Sequence, residues 1–384
     1  YMVKPGFGEK IRQFVANGGT VIGTYLLGYV NDSTLAWLGG FPGDGLREVF
    51  GVTATELDTL YPGERNTAVF PDGSKVAIQE LLETRDNTDV LATYGEDFYK
   101  GYAVATHHAF GKGHAYYVAA RMDADGNAKV FRAAMAQAGC LAVGEPAFWA
   151  GYDRSSADGF RDYFVQLTEC EPARAAKFGM DHYTWLCINP KEAQDVAFAR
   201  EVMKLIPEFI DRPNVLGIGE IGLNRNTSHE MTIFEEHLDM AIRLNQLVLI
   251  HTPHLEDKLK GTRMILSALK NRPELDPGRV LVDHCEEHTF PLVKEAGYWA
   301  GLTLYPTSKL NPKRAADILE LYGMDRVWAN SAADWGDSDP LALTALACEL
   351  YKRGFSRQEA EKLLLGNPEA FMGQSPKFRK VSSV

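Results

Sequence analysis

Residues 215–223 read VLGIGEIGL, a β-type apolar run that closes around one acid, Glu220. Three further strings of the same kind lie downstream: LIHTPH with His251, LVDHCEEH with His284, and NSAADWG with Asp334. Each follows an apolar run of strand type, and a helical stretch separates each from the next. In a (β/α)₈ barrel the strand C-termini open on one mouth, so residues far apart in sequence share one site. Two carboxylates and two imidazoles meeting there form a donor set for a divalent metal. Taken singly, each residue has a plainer reading: a salt bridge for Glu220, packed core histidines for His251 and His284, a helix cap for Asp334. The shared position at strand ends favours the metal reading.

Working outward, the β rhythm is regular from about Cys140 onward. The strand readings are LAVGE, HYTWLCIN, VLGIGEIGL, LVLIHTP, VLVDHC, YWAGLTLY and RVWANSAAD. Between them stand helical segments such as EEHLDMAIRLN, TRMILSALKN and KRAADILELYG. Repeated βα units imply parallel strands joined by right-handed crossovers. Seven strands are visible where a closed barrel needs eight. HAYYVAARMDADG, just before the helical KVFRAAMAQAG, is the one candidate for the eighth.

The earlier sequence has a different grammar. GEKIRQFVANGG has helical spacing, TVIGTYLLG reads as a buried strand, and GLREVFGV as a short helix. ELDTLYPGERNTAVFPDGSKVAI reads as exposed β structure turning at Asp72 and Gly73. GYAVATHHAFGKG and HAYYVAA form a hairpin around Gly111 and Gly113; a phosphate-binding loop would need a helix after the glycines. His107 and His108 are adjacent, so on a strand they face opposite sides. Tyr1, Met2 and Val3 read as the tail of a strand, which suggests a piece of a longer chain.

The 384 residues exceed one small domain. A formal net charge of −11 disfavours loose attraction to phosphate backbones, so a small-molecule substrate is expected ahead of nucleic acid. No apolar run reaches the roughly 18 residues of a membrane span. The five cysteines show no CxxC spacing, which fits reduced thiols and a cytoplasmic setting.

Residues 1–126 resemble the middle, trimerisation domain of glycoside hydrolase family 42 β-galactosidases. NGGTVIGTYLLGYVND, LYPGERN, VLATYGEDFYKGYAVAT and FGKGHAYYVAAR carry the likeness. The resemblance implies a partial flavodoxin- or amidotransferase-like fold and a role in assembly, with a homotrimer as the expected state. It also places that family's catalytic glutamates in a preceding barrel outside this sequence.

Residues 127–384 resemble the TatD-like metal-dependent hydrolases of the amidohydrolase superfamily, through EPAFW, INPKEA, GEIG, HTPH, DH, NSAADWG and LLLGNPEAFM. The resemblance implies a TIM-type (β/α)₈ metallohydrolase barrel. Glu220 would bridge two metals, His251 and His284 would hold the second, and Asp334 would serve the first and shuttle a proton. Family members open with a strand ending in His-x-His, and no His-x-His occurs here. The first strand is therefore altered or missing. Counting back from Gly139 puts Arg121 and Asp123 where those histidines would stand; Asp123 can ligate a metal and Arg121 cannot. One tight site is expected, for zinc ahead of manganese or magnesium.

Secondary candidates are Glu145 at a strand end beside Trp149, His254 beyond His251, and His182 at a strand start. Glu286, Glu287 and His288 read as the start of a helix, and Cys285 as buried behind the barrel. The implied activity is activated-water attack on a phosphoester or amide-like bond. The alternative is a non-catalytic β-galactosidase assembly domain joined to an inactive barrel.

Overall fold

The computed structural model describes residues 1–61, 64–70, 74–138, 142–148, 153–177, 179–254, 256–305, 308–331, 338–339 and 341–379. Two compact units share the chain: residues 1–142 with 174–181, and residues 143–173 with 182–382.

The first unit holds strands β1 (Thr20–Thr24), β2 (Val52–Thr59), β3 (Asn66–Val69), β4 (Ser74–Thr84), β5 (Thr88–Tyr94), β6 (Ala103–Phe110), β7 (Gly113–Val118) and β8 (Ala120–Met122). They form one sheet in the order β1-β7-β6-β5-β3-β4-β2, with β8 beside β4. β1 and β7 run parallel, whereas β5, β6 and β7 form successive antiparallel pairs. The tight β6–β7 connection enforces the reversal, and Gly111 supplies its left-handed residue at φ 61°. Helices α1 (Phe7–Ala16), α2 (Leu46–Phe50) and α3 (Ala124–Ala138) complete the unit. Alternate side chains of β7 enter two cores: Tyr116 and Val118 meet Val130 and Ala134 of α3. Ala115 and Tyr117 meet Val15, Val49 and Phe50 of α1 and α2. The turn expected at Asp72 and Gly73 lies outside the described residues.

The second unit is built on β9 (Ala142–Pro146), β10 (Asp181–Leu186), β11 (Val215–Gly222), β12 (Leu247–His251), β13 (Val280–Asp283), β14 (Trp299–Leu304) and β15 (Val327–Ser331). These seven strands lie in chain order, and the pairings from β10 to β15 are parallel. All eight residues of β11 are buried, as expected for a parallel strand with helices over one face and the barrel interior on the other. Glycine permits the close approach of β12: a Cβ at Gly219 would sit 2.6 Å from the Cβ of Leu249. The largest buried side chains include Phe160, Phe164, Phe234 and Phe290, each stabilising the fold by about 1.5–3 kcal/mol. Among the described residues no helix is long and apolar enough to cross a membrane.

The sheet pairings assign the contested strand. β7 lies between β1 and β6, and β8 pairs with β4, so their ladders are spent in the first sheet. The barrel sheet accordingly has seven strands among the described residues. α3 also stays with the first unit, so the division expected after Gly126 falls instead beyond the end of that helix. This helix, KVFRAAMAQAG in sequence, uses its apolar stripe to cover β1 and β7.

Candidate metal centre

Three neighbouring strands deliver the central residues. Glu220 lies near the end of β11, and His251 ends β12 opposite Gly222 on one side and Asp283 on the other. His284 follows the last residue of β13 at φ 59°, in the left-handed region. Its N–H donates to Asp283 Oδ1 at 2.7 Å, and the next N–H, of Cys285, returns to Gly301 O at 2.8 Å. This local bend turns the imidazole of His284 toward Glu220.

Ligand-type atoms of Glu220, His251 and His284 all lie within 4.8 Å of one another, and all three residues are buried. His284 Nε2 is 2.6 Å from Glu220 Oε1, and His251 Nδ1 is 3.3 Å from Glu220 Oε2. Neither ring nitrogen of His251 has a hydrogen-bond partner among the described residues; the Glu220 contact brings charge but not hydrogen-bond geometry. A buried imidazole with both nitrogens unmatched is costly unless something binds it. An ion held by two imidazoles and one carboxylate would meet that need, so the residues fit a metal of the zinc type.

Electrostatics keep the set in binding form. Burial alone would raise the Glu220 carboxyl, yet the adjoining His284 and His251 hold it well below the usual carboxylate range. Burial pushes His251 down to about 3 against the raising effect of Glu220. The two tendencies compete, since a neutral imidazole attracts a carboxylate little. The burial of His251 decides the matter, leaving an ionised carboxylate beside a neutral ring.

Surrounding groups orient the ligands. Thr303 Oγ1 lies 2.6 Å from His284 Nδ1 and 3.1 Å from Asp283 Oδ1, and Asn330 donates to both Asp283 oxygens at 3.0 and 2.9 Å. With its hydrogen on Asp283, Thr303 can accept Nδ1–H, the tautomer in which Nε2 would be the ligand to an ion; without an ion, the 2.6 Å contact of Nε2 with Glu220 Oε1 needs a hydrogen between the two atoms. Asn189 donates to Glu220 Oε2 at 3.2 Å. Lys309 Nζ stands 2.8 and 3.1 Å from the two ring nitrogens of His284, its ammonium pushed down to about 8 by burial. Lys258 bridges His284 O and Glu286 at 2.9 Å each. Lys191, Lys258 and Lys309 all press the His254 imidazole toward its neutral form, after burial.

Of the residues singled out by sequence, Glu220, His251 and His284 are thus brought together. Asp334 and Trp149 lie outside the described residues. Asp123 is placed elsewhere: in the first unit its Oδ1 accepts the Gly126 N–H at 2.8 Å, in the opening turn of α3. Its expected role as a ligand fails with the strand that was to carry it. Glu145 pairs with His182 at 3.0 Å, Glu287 with Arg314 at 2.7 Å, and Cys285 is buried. Asn189, Thr303 and Lys309 were missed. Asn189 lay within the INPKEA string, whereas Thr303, inside the YWAGLTLY strand, and Lys309, beyond it, carried no signal of their own.

The two halves separate on comparison with known proteins. Residues 1–140 match the family model described as beta-galactosidase trimerisation domain. Residues 160–327 match TatD related DNase. The chain is thus similar to the first family over its early residues and to the second over its later ones. Beta-galactosidase BglY of Alicyclobacillus acidocaldarius is 44% identical over 131 residues, 32% of this chain and 19% of its own. Beta-galactosidase Pbg of Clostridium perfringens is 43% identical over 129 residues, again 32% and 19%. The chain thus spans about a fifth of the length of these curated relatives. The structure of a TatD-like protein from Archaeoglobus fulgidus is similar at 26% identity and TM-score 0.50, over 64% of this chain and 94% of that one.

Proposed function

We propose that the second unit is a metal-dependent hydrolase of the TatD-like kind, with Glu220, His251 and His284 holding one tight divalent ion, zinc by preference. The buried triad, with His251 unmatched among the described residues, carries this reading. A bound ion would lower the pKa of coordinated water toward neutrality and polarise the scissile group. Glu220 supplies the compensating negative charge, Thr303 and Asp283 hold the His284 tautomer, and Asp334 is assigned the proton transfer. Lys191, Lys258 and Lys309 set a positive field around the triad, which favours a phosphoester over a neutral amide, while the net charge of −11 over the whole chain disfavours a long polyanion. For the first unit we assign assembly, with a homotrimer as its form. The free thiols of Cys170, Cys187, Cys285 and Cys348 suit a cytoplasmic setting.

The sheet, seven-stranded among the described residues, favours a second reading, in which a non-catalytic assembly domain is joined to an inactive barrel. Metal analysis of the purified chain separates the two. One tightly held equivalent, lost in Glu220→Ala together with metal-dependent phosphoester hydrolysis, supports the enzyme. Metal retention equal in both proteins overturns the triad; a metal-loaded chain inert toward phosphoesters and amides leaves the assembly reading. Two tight equivalents, both lost in Glu220→Ala, overturn the single-ion site.

A further inference from the structure

We propose a second metal site, in the first unit, where His107 and His114 take a borderline divalent cation of the zinc or copper kind with Asp89 behind them. The site arises from strand register. Asp89 of β5 stands directly opposite His107 of β6. His107 faces Tyr116 of β7 while Ala109 faces His114, so His107 and His114 form a diagonal cross-strand pair. Such diagonals bring long side chains into reach on one face of a sheet. His108 points the other way and bonds Val49 O at 3.0 Å.

The hydrogen positions follow from the partners. Asp89 Oδ2 lies 2.9 Å from His107 Nδ1, and an ionised carboxylate can only accept. Nδ1 therefore carries the hydrogen, and in the neutral ring Nε2 is a lone pair. That lone pair faces His114 Nδ1 at 2.9 Å. Without a cation the His114 Nδ1–H donates to it; a cation would take the place of that hydrogen, and a carboxylate behind an imidazole is the usual support of a metal-bound histidine. Two nitrogens bound at roughly 2.0–2.1 Å with an angle of 90–110° would stand about 2.9–3.4 Å apart. The observed spacing sits at the near end of that range. The Tyr116 ring backs His107 at 4.8 Å between centroids, and the His107 side chain is 15% exposed while that of Asp89 is 73% exposed. The His107 ring is therefore mostly covered, and solvent reaches the pair from the Asp89 side.

This site is independent of the barrel triad, and its test keeps the two apart. The full chain is stripped by chelation and titrated calorimetrically with Zn²⁺ alone and with Cu²⁺ alone. In a Glu220→Ala/His251→Ala background one equivalent should persist and disappear with His114→Gln. Asp89→Asn should weaken it by about ten- to a hundredfold. Copper bound in that background should show two nitrogen couplings in its electron paramagnetic resonance spectrum. In the otherwise wild-type chain, His114→Gln should lower total metal by one equivalent, which guards against misfolding of the barrel variant. No binding in the barrel variant together with no loss in the single variant overturns the proposal, as does an equivalent that survives His114→Gln.

Discussion

Replacing Glu80 by glutamine should change how the stability of the first unit depends on pH. Glu80 is buried in β4, where Tyr117 Oη donates to Oε2 at 2.9 Å and the Leu26 N–H donates to Oε1. Burial pushes its carboxyl up to about 7, although both hydrogen bonds lower it. In the unfolded chain the ordinary value is 4.5. Because the folded value is the higher one, the folded state binds the proton more tightly between these limits. Its stabilising contribution is complete below pH 4.5 and is lost as pH rises through about 7. At about 1.4 kcal/mol per pH unit, that interval amounts to roughly 3 kcal/mol by pH 8. Glutamine cannot ionise, yet its carbonyl oxygen can still accept from Leu26. Calorimetric melting of the full chain from pH 5 to 8.5 should show near-coincident melting of the first unit at the acid end. At the alkaline end the variant should melt about 10 °C higher, at roughly 3 °C per kcal/mol for a unit of this size. Parallel curves for the two proteins would refute the argument.

Two further outcomes concern the barrel. Thr303→Val preserves shape but removes the tie between His284 and Asp283; zinc affinity measured by competition should fall about ten- to a hundredfold, and an unchanged value would remove Thr303 from the site. Glu230 accepts the N–H groups of Asn224 and Arg225 just beyond β11. Glu230→Ala strands the buried Asn224 N–H and removes the partner of the Arg225 N–H, so the urea midpoint should fall by the equivalent of about 1–3 kcal/mol, with Glu230→Gln milder.

The parts that could be read in sequence are those where one strand or one turn decides the outcome. β11, β12 and β13 declare themselves by apolar runs, and their ends place Glu220, His251 and His284 because parallel strands finish on the same side. The β6–β7 hairpin was similarly local. Ownership of β7 and α3 was not local: an apolar strand and an amphipathic helix fit either sheet until their partners are known. The pairing with β1 and β6 settles them, and Asp123 goes with them. Lys309 was invisible for the same reason, since its closeness to His284 depends on how the connection after β14 folds back.

The left-handed backbone of His284 bears on how this centre can change over generations. At φ 59° a valine, isoleucine or threonine meets a steric penalty before any question of chemistry arises, whereas asparagine, aspartate and glycine are tolerated. Two of those three still offer an oxygen to a cation. Position 284 is thus filtered toward side chains that can keep a ligand or leave the space empty, and away from branched hydrophobic ones. His251, at the end of an ordinary strand, has no such filter. Divergence from a histidine centre toward an oxygen-rich one would therefore be expected to begin at 284, with the sheet undisturbed.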